Sequence, residues 1–251
     1  MRAKGILVVV VTLGLAAAIV SPGIMAQQAK APTQTPAKKG DVVSKFDYYK
    51  MHWGDNATTL LLKGDVTFTH EDTVIASDQV DYDDSAKTAV SPGPIKITNP
   101  ECDITGDKGS AYFRKKLGVI EGNVVMLFKP KQEASAANAD KDSVDKFKQP
   151  TTVTCLRMEY FYGQKLASAQ GGVVFKQPKR TAYADKAVYD QKAEILTLTG
   201  NVRAVDEQGQ TFTAPGEVKI SLKKDDEWME ALNASGTFKI NLGEETPEEK
   251  K

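Results

Sequence analysis

The chain has 251 residues, of which 41% are apolar and 26% are charged, with 19 glycines and 11 prolines. This composition describes a globular chain of one large or two small domains and excludes a collagen, a coiled coil and a wholly disordered protein. Lysine plus arginine and aspartate plus glutamate both number 33, so no basic excess favours a nucleic-acid partner. Two cysteines and two histidines argue against a metal site, and no cofactor is expected.

The first 26 residues differ in character from the rest of the chain. Arg2 and Lys4 precede an uncharged apolar run over residues 6–20, and Ser21-Pro22-Gly23 then interrupts any helix before the small residue Ala26. This pattern predicts a signal peptide over residues 1–26 and export from the cytoplasm. Because the run is shorter than the roughly 20 residues that span a bilayer, cleavage is expected, and a permanent membrane anchor is the alternative.

Two segments lack the apolar residues that a folded core needs. Residues 27–42 are rich in Ala, Pro, Thr and Lys and predict a flexible leader, and residues 243–251 predict a disordered tail of the same character. The folded domain is therefore expected within residues 43–242.

A short motif with a central glycine recurs through this domain, from LKGDVTF at its start to ASGTFKI at its end. Successive glycines lie 29, 29, 49, 29 and 36 residues apart, at Gly64, Gly93, Gly122, Gly171, Gly200 and Gly236. A fixed period indicates a repeat architecture. The long interval is explained by a polar, charged insertion over residues 129–150, which is predicted to be a loop.

Apolar residues occupy every second position on both sides of each glycine, which is typical of half-buried strands. A second strand follows in each period, as in IASDQVDYD and AYADKAVYD. A glycine within a strand usually marks a bend. Six glycines at equivalent positions of the repeat therefore predict that neighbouring strands share one bend. The predicted fold is all-β: an elongated, bent antiparallel β-jelly-roll, a twisted two-walled trough built from repeats of about 29 residues.

The alternating side chains are predicted to line the interior of this trough. The candidate lining residues are Val66, Phe68, Ile95, Ile97, Val124, Met126, Val173, Phe175, Val202, Leu196 and Leu198. Thr67 and Lys176 are expected on the outer face. An interior that admits a ligand and a fully packed core are both compatible with this pattern. Small inward residues such as Ala89 and Gly118 favour an interior with room for a ligand.

Asp78, Asp107 and Asp185 occupy equivalent places in three periods, whereas the third period has Leu156. A column of such carboxylates binds calcium or cleaves sugars in some parallel β-helices. A repeated Asp at a bend is more often a turn residue that forms hydrogen bonds, and this structural role is the expectation.

The cysteines and the residues before the first repeat are assigned structural roles. Cys102 and Cys155 fall on the same face but are staggered by about 13 Å along the strand direction, which exceeds the limit of about 7 Å between disulfide Cα atoms. Two free buried thiols are therefore predicted. His52 and Trp53 are expected in an irregular segment that caps the first strand.

Three motifs carry a resemblance to a known family: GNVVM at Gly122, AYADKAVYD from Ala182, and LTLTGNVRA ending at Ala204. They resemble strands of the OstA-like (LptA) family of periplasmic lipopolysaccharide-transport proteins, whose relatives include LptC and the amino-terminal domain of LptD. The resemblance implies a β-jelly-roll whose apolar interior carries acyl chains of lipopolysaccharide or a similar glycolipid. It also implies a periplasmic location and association with other OstA-like domains through edge strands, including head-to-tail self-association.

The leading hypothesis is a non-enzymatic periplasmic carrier that shelters acyl chains and bridges inner- and outer-membrane export components. One alternative is a membrane-anchored, LptC-like member of the same pathway. An alternative from another class is a parallel β-helix that processes polysaccharide or acts as an adhesin. The carrier predicts antiparallel neighbouring strands, and the β-helix predicts parallel ones.

Overall fold

A computed structural model describes residues 42–54, 58–100, 102–129, 150–223 and 226–237 of the chain. Several predicted segments lie outside the described residues: the signal peptide (1–26), the leader (27–42) except its last residue, the interior of the insertion (129–150) and the tail (243–251).

The described residues form 18 β-strands and one short 3₁₀ helix, Phe113–Lys115, and they contain no α-helix. The strands are β1 (Val42–Lys45), β2 (Tyr48–Trp53), β3 (Thr58–His70), β4 (Thr73–Asp83), β5 (Thr88–Ser91), β6 (Ile95–Thr98), β7 (Cys102–Gly106), β8 (Lys108–Tyr112), β9 (Leu117–Phe128), β10 (Thr151–Phe161), β11 (Leu166–Gln177), β12 (Arg180–Asp190), β13 (Ile195–Thr199), β14 (Val202–Asp206), β15 (Thr211–Ala214), β16 (Glu217–Lys223), β17 (Asp226–Ala231) and β18 (Ser235–Thr237). The prediction of an all-β chain is confirmed.

Every pairing between described strands is antiparallel, so the parallel β-helix alternative is wrong. The sheet consists of layers, each a segment of chain bent in its middle. Six layers are single long strands that cross the bend (β3, β4, β9, β10, β11 and β12), and the others are split there into two strands (β1 with β2, β5 with β6, β7 with β8, β13 with β14, β15 with β16 and β17 with β18).

The two halves of each layer build two walls that meet along the bend. We call wall A the half that contains β2, β5, β8, β13, β16 and β17, and wall B the half that contains β1, β6, β7, β14, β15 and β18. Each long strand contributes one half to each wall. For example, the register of β9 against β10 shifts at Cys155/Arg157, where the chain passes from one wall to the other.

The shared bend is confirmed at five of the six predicted glycines. Four of them have φ between 75° and 88°, a region that side chains with a Cβ rarely adopt: Gly64, Gly122, Gly171 and Gly200. Gly93 lies between two prolines at the junction of β5 and β6. The sixth assignment is wrong, because Gly236 lies inside β18 and the last layer bends before it, where Asn233 has φ 54°.

The core lies between the inner faces of the two walls, and the walls contribute residues of different size. Wall B supplies large side chains, including Val66, Phe68, Ile97, Val124 and Met126. Wall A supplies many small ones, and the register places Ala89, Ala111 and Gly118 side by side on three neighbouring strands. Small residues of one wall therefore lie beneath large residues of the other.

Two further expectations are decided by the strands. Cys102 and Cys155 are both buried thiols that are not joined in a disulfide, as predicted. His52 and Trp53 are not irregular, because they belong to β2, which pairs with β3 over Tyr48–Trp53. Among the described residues, no helix has the length and apolar character needed to cross a membrane.

Candidate functional site

The predicted lining residues all lie on the inner faces of the walls. Eight are buried: Val66, Phe68, Ile97, Val124, Met126, Val173, Val202 and Leu198. The other three, Ile95, Phe175 and Leu196, are partly buried and pack against the same core. Thr67 and Lys176 have the opposite parity in β3 and β11, and Lys176 is exposed. Contact of the eleven residues with lipid stays a prediction.

The interior contains a cavity of about 70 Å³ between the walls. It lies over the small residues Ala89, Ala111 and Gly118 of wall A and beneath Phe68 and Ile97 of wall B. Its volume is about half that of an engineered protein cavity of about 150 Å³ that binds benzene. An acyl chain therefore needs more room than this cavity provides, and the side chains around the cavity form a packed core.

The cavity lining is almost entirely apolar, and its polar side chains are satisfied. The hydroxyl oxygens of Ser77 and Ser91 lie 2.5 Å apart, and each also lies within hydrogen-bond distance of a backbone carbonyl, that of Gln79 at 3.2 Å or Gly93 at 3.1 Å. One hydroxyl donates its proton to the other, and the second donates to its carbonyl. Polar contacts that fix a small polar substrate are usually few and directed into the site. Here the hydroxyls are used within the wall, so the lining offers an apolar surface.

The bend between the walls is held by a repeated contact. Asp107 donates its backbone N–H to the carbonyls of Glu121 and Gly122 at 3.0 and 2.9 Å, and its carboxylate accepts a hydrogen bond of 2.8 Å from Asn123. Asp185 makes the same contacts two repeats later, with Gly200 and Asn201 at 2.9 and 2.8 Å. The expected structural role of these two aspartates is confirmed.

The glycine at this bend makes room for the carboxylate as well as supplying the backbone angle. A Cβ on Gly122 would collide with the side chain of Asp107, and a Cβ on Gly200 would collide with Asp185. Asp47 fills the same place over Gly64, a member of the series that the sequence analysis missed because it precedes its glycine by 17 residues rather than 15.

The series has two departures among the described layers. Leu156 replaces the aspartate and packs over Gly171, so an apolar contact substitutes for the hydrogen bonds. Asp78 lies at the corresponding position of β4, but a Cβ on Gly93 would meet nothing within 4 Å. Across the described residues, no group of three or more His, Cys, Asp or Glu is arranged to hold a metal ion.

Three tyrosines lie in one row on the inner face of wall A, near its free end. The register runs from Tyr82 through Ala89, Ala111 and Gly118 to Tyr160, and then through Ala167 to Tyr189. Burial raises the pKa of Tyr82 to about 12, together with its hydrogen bond of 2.9 Å to Asp84. Burial also raises the pKa of Tyr189 to about 12, with a smaller effect from nearby Glu194 and Asp190.

Both ends of the described sheet present an exposed edge. At the amino-terminal edge, β2 exposes Tyr48, Tyr49 and Trp53, and Trp53 retains 79% of its surface. At the carboxy-terminal edge, β17 and the bend after it expose Met229 at 56% and Leu232 at 76%. Such edges carry unpaired backbone groups that can accept another strand.

The two edges differ in charge. The register of β2 with β3 assigns the side chains of β2 to the two faces. Tyr49, Met51 and Trp53 lie on the inner face, and Lys50 and His52 lie on the outer face. The register of β17 with β16 places Met229, Ala231 and Glu227 on the inner face, and Asp226, Trp228 and Glu230 on the outer face. Met229 and Ala231 therefore continue the interior at this end, while the outer faces of the two edges carry opposite charges.

These features define an antiparallel β-jelly-roll with an apolar interior and two open sheet edges. The family model described as LptA/(LptD N-terminal domain) LPS transport protein matches residues 74–226, which is more than half of the chain. The chain belongs to this family of lipopolysaccharide transport proteins.

Among solved structures, the chain is similar to LptH, the LptA homologous periplasmic component of the lipopolysaccharide transport device from Pseudomonas aeruginosa. The two are 19% identical, with a TM-score of 0.40, over 51% of this chain and 81% of LptH. No curated protein matches the chain.

Proposed function

We propose that this protein is a non-enzymatic periplasmic carrier that shelters the acyl chains of lipopolysaccharide, or a related glycolipid, between its two walls. The observation that carries the proposal is the continuous apolar interior, which runs from the amino-terminal edge strand to the carboxy-terminal one. Membership of a lipopolysaccharide transport family supports the choice of ligand.

The physical need is to keep methylene groups out of water during transfer. Each exposed methylene costs about 0.8 kcal/mol, so a lipid with several acyl chains requires shelter along the whole path. An apolar trough supplies this shelter without chemistry. An acyl chain first enters at the cavity over Ala89, Ala111 and Gly118, because the opposing side chains leave open space there.

Uptake in this proposal requires the walls to separate at their free ends. The bend contacts of Asp107 and Asp185 lie outside the core and fix the vertex without filling the interior. The walls can therefore move apart about the bend while the layers keep their antiparallel pairing.

We further propose that the edge strands join this protein to its partners. A second copy or a related OstA-like domain pairs its β2 edge with the β17 edge of this chain, which continues the apolar interior across the junction. The opposite charges of the two outer faces support this head-to-tail arrangement. A row of joined domains bridges the inner- and outer-membrane export components.

Site-specific photo-crosslinking tests the carrier proposal, because neighbouring residues of one strand face opposite sides. A photoreactive residue at Phe68, Met126 or Phe175 is expected to crosslink to lipid in cells, and one at Thr67, Leu127 or Lys176 is not. Crosslinks confined to the outer positions would contradict the proposal. Cell fractionation and determination of the mature amino terminus, in the same strains, distinguish a released periplasmic protein from one anchored by residues 6–20.

A further inference from the structure

The free end of wall A is a row of turns that carries positive charge at its centre. The turns over residues 84–87, 113–116 and 162–165 follow one another along the rim, and each is tied to the next by a hydrogen bond. Phe113 donates its backbone N–H to the carbonyl of Lys87 and Tyr162 donates to that of Lys116, both at 3.0 Å.

The residue that accepts each of these bonds is a lysine in the left-handed backbone region. Lys87, Lys116 and Lys165 have φ of 53°, 52° and 62°. Glycine and asparagine adopt this region with least strain, and the bends of the same protein use glycine followed by Asp or Asn, or a second glycine. Lysine therefore occupies a position of unfavourable backbone angle at three successive turns, and Glu194, with φ of 56°, occupies it at the fourth.

The two central turns concentrate cations without carboxylates. Their sequences are FRKK and YGQK, so they carry Arg114, Lys115, Lys116 and Lys165, which we call the basic lip. All four side chains are exposed. Layers lie about 4.8 Å apart, so successive turns are separated by about 10 Å.

One glycine leaves room for the side chain of Lys116 on the neighbouring turn. Gly163 does not have a positive φ, so it is not required for a turn angle. A Cβ at Gly163 would lie 2.8 Å from the Cδ atom of Lys116. The stem of Lys116 therefore lies across the neighbouring turn, the turn that also carries Lys165.

Two described lysines of the opposite rim are engaged in ion pairs, in contrast to those of the basic lip. On wall B, Lys129 pairs with Asp103 at 2.6 Å and Lys179 pairs with Glu207 at 3.2 Å. None of the ion pairs formed among the described residues involves Lys115, Lys116 or Lys165. The rim of wall A thus has cations available to an external anion.

Aromatic rings separate the basic lip from the apolar interior. Phe113 packs edge-on against Tyr82 with ring centroids 6.1 Å apart, and the hydroxyl of Tyr162 lies 3.5 Å from the carbonyl of Phe113. The order from interior to solvent is aliphatic, aromatic and cationic. This order matches an amphiphile with acyl chains below and an anionic headgroup above.

We propose that the basic lip binds anionic groups, phosphate or carboxylate, on the headgroup of the carried glycolipid while its acyl chains enter between the walls. This inference rests on the proposed carrier function and adds to it the orientation of the ligand: the charged headgroup lies at the rim of wall A. An anionic group held between Lys116 and Lys165 accepts charge-assisted hydrogen bonds from both ammonium groups.

The test compares Lys116→Gln/Lys165→Gln with Lys96→Gln/Lys176→Gln, which removes two exposed charges from the outer face of wall B. Binding of lipopolysaccharide, and of the same preparation after dephosphorylation and amidation of its carboxylates, is measured for both variants and for the wild type. The lip variant is expected to bind the untreated lipid about tenfold more weakly. It is expected to bind the treated lipid as the wild type does, and the control variant is expected to match the wild type throughout.

Each other outcome overturns the inference at an identifiable step. Equal loss for both lipids would show that the lysines act without recognising an anion, and no loss would show that they are not used. Saturable binding of inorganic phosphate alone at the lip would assign it to free anions, and lysine-dependent binding to phosphatidylglycerol vesicles without lipid uptake would assign it to a membrane surface. Wild-type protein that takes up neither lipid would defeat the carrier proposal itself.

Discussion

At the scale of single residues, the bend depends in three places on a glycine and an aspartate that lie in adjacent layers. The glycine supplies a backbone angle that other residues adopt only with strain, and its missing Cβ leaves the space that the aspartate fills. The aspartate then satisfies backbone and amide groups that the sheet pairing leaves open at the bend. The repeated Gly and Asp are therefore one structural unit.

Gly122→Ala is expected to destabilise the protein by about 2 kcal/mol, because it combines a left-handed backbone angle with a collision against Asp107. Gly93→Ala is the matched control, since Gly93 has no positive φ and a Cβ there meets nothing within 4 Å. The control is expected to change stability by less than about 0.5 kcal/mol. Urea unfolding of both variants measures the difference, and equal effects would contradict the account of the bend.

A double-mutant cycle separates the two causes. Asp107→Gly removes the side chain that the new Cβ would strike, but it leaves the backbone angle of Gly122 unchanged. The cost of Gly122→Ala is therefore expected to fall by at least about 0.5 kcal/mol in the Asp107→Gly background without disappearing. Strict additivity in urea unfolding would show that the collision contributes nothing.

The tyrosine row predicts a loss of stability at alkaline pH. Burial, with the charges of Glu194 and Asp190, raises the pKa of Tyr189 to about 12 from an ordinary value of 10.0. Between these two values the folded state binds more protons than the unfolded state, so the free energy of unfolding falls as pH rises. Tyr189→Phe is expected to flatten this fall, measured by urea unfolding at several pH values across the interval. Tyr48→Phe, which removes an exposed hydroxyl from β2, is the control and should leave the slope unchanged.

At the scale of elements, the alternation of apolar residues was sufficient to predict the strands and their inner faces. All eleven candidate lining residues lie where their parity placed them, because a strand buried on one face has only one register that hides its apolar side chains. The alternation of apolar residues does not show which strands lie at the edges of the sheet. The edge strand β2 was missed for this reason, since its exposed Tyr48 and Lys50 break the pattern that marks the central strands.

The charges of the edge strands predict a specific pattern of self-association. Lys50→Glu is expected to weaken head-to-tail association by about threefold, because it replaces attraction with repulsion opposite the acidic outer face of β17. Adding Glu230→Lys to the same chain restores opposite charges and is expected to restore association. Sedimentation equilibrium measures the three proteins.

The control for this charge exchange is Lys96→Glu, which makes the same change of net charge on the outer face of wall B. It is expected to associate like the wild type. A wild-type protein that stays monomeric at every concentration, or a reversed-charge protein that fails to recover, would contradict the pairing of β2 with β17.

At the scale of the whole molecule, the sequence predicted a two-walled trough but not how the trough is filled. The glycine period located five bends correctly and failed at Gly236, because the last layer bends at Asn233, a residue that also tolerates the left-handed region. The cavity could not be predicted, since it depends on the alignment of Ala89, Ala111 and Gly118 across three strands and on the residues of wall B above them. The basic lip was missed because turn residues lie outside the apolar alternation.

The cavity gives the carrier proposal its most direct test of conformation. Ala111→Leu adds three carbon atoms to a space of about 70 Å³, so the fold is expected to keep its stability or gain up to about 1 kcal/mol. Lipid uptake is expected to fall at least severalfold, because the side chain occupies the gap at which the walls begin to separate. Ala76→Leu, on the outer face of the neighbouring β4, is the control and should leave uptake unchanged. Urea unfolding and lipid binding on the same samples separate the two effects: a stable Ala111→Leu protein that takes up lipid at the wild-type level would mean that acyl chains enter elsewhere. A loss of uptake at undiminished stability, in contrast, requires that the packed interior opens at this gap to admit its ligand.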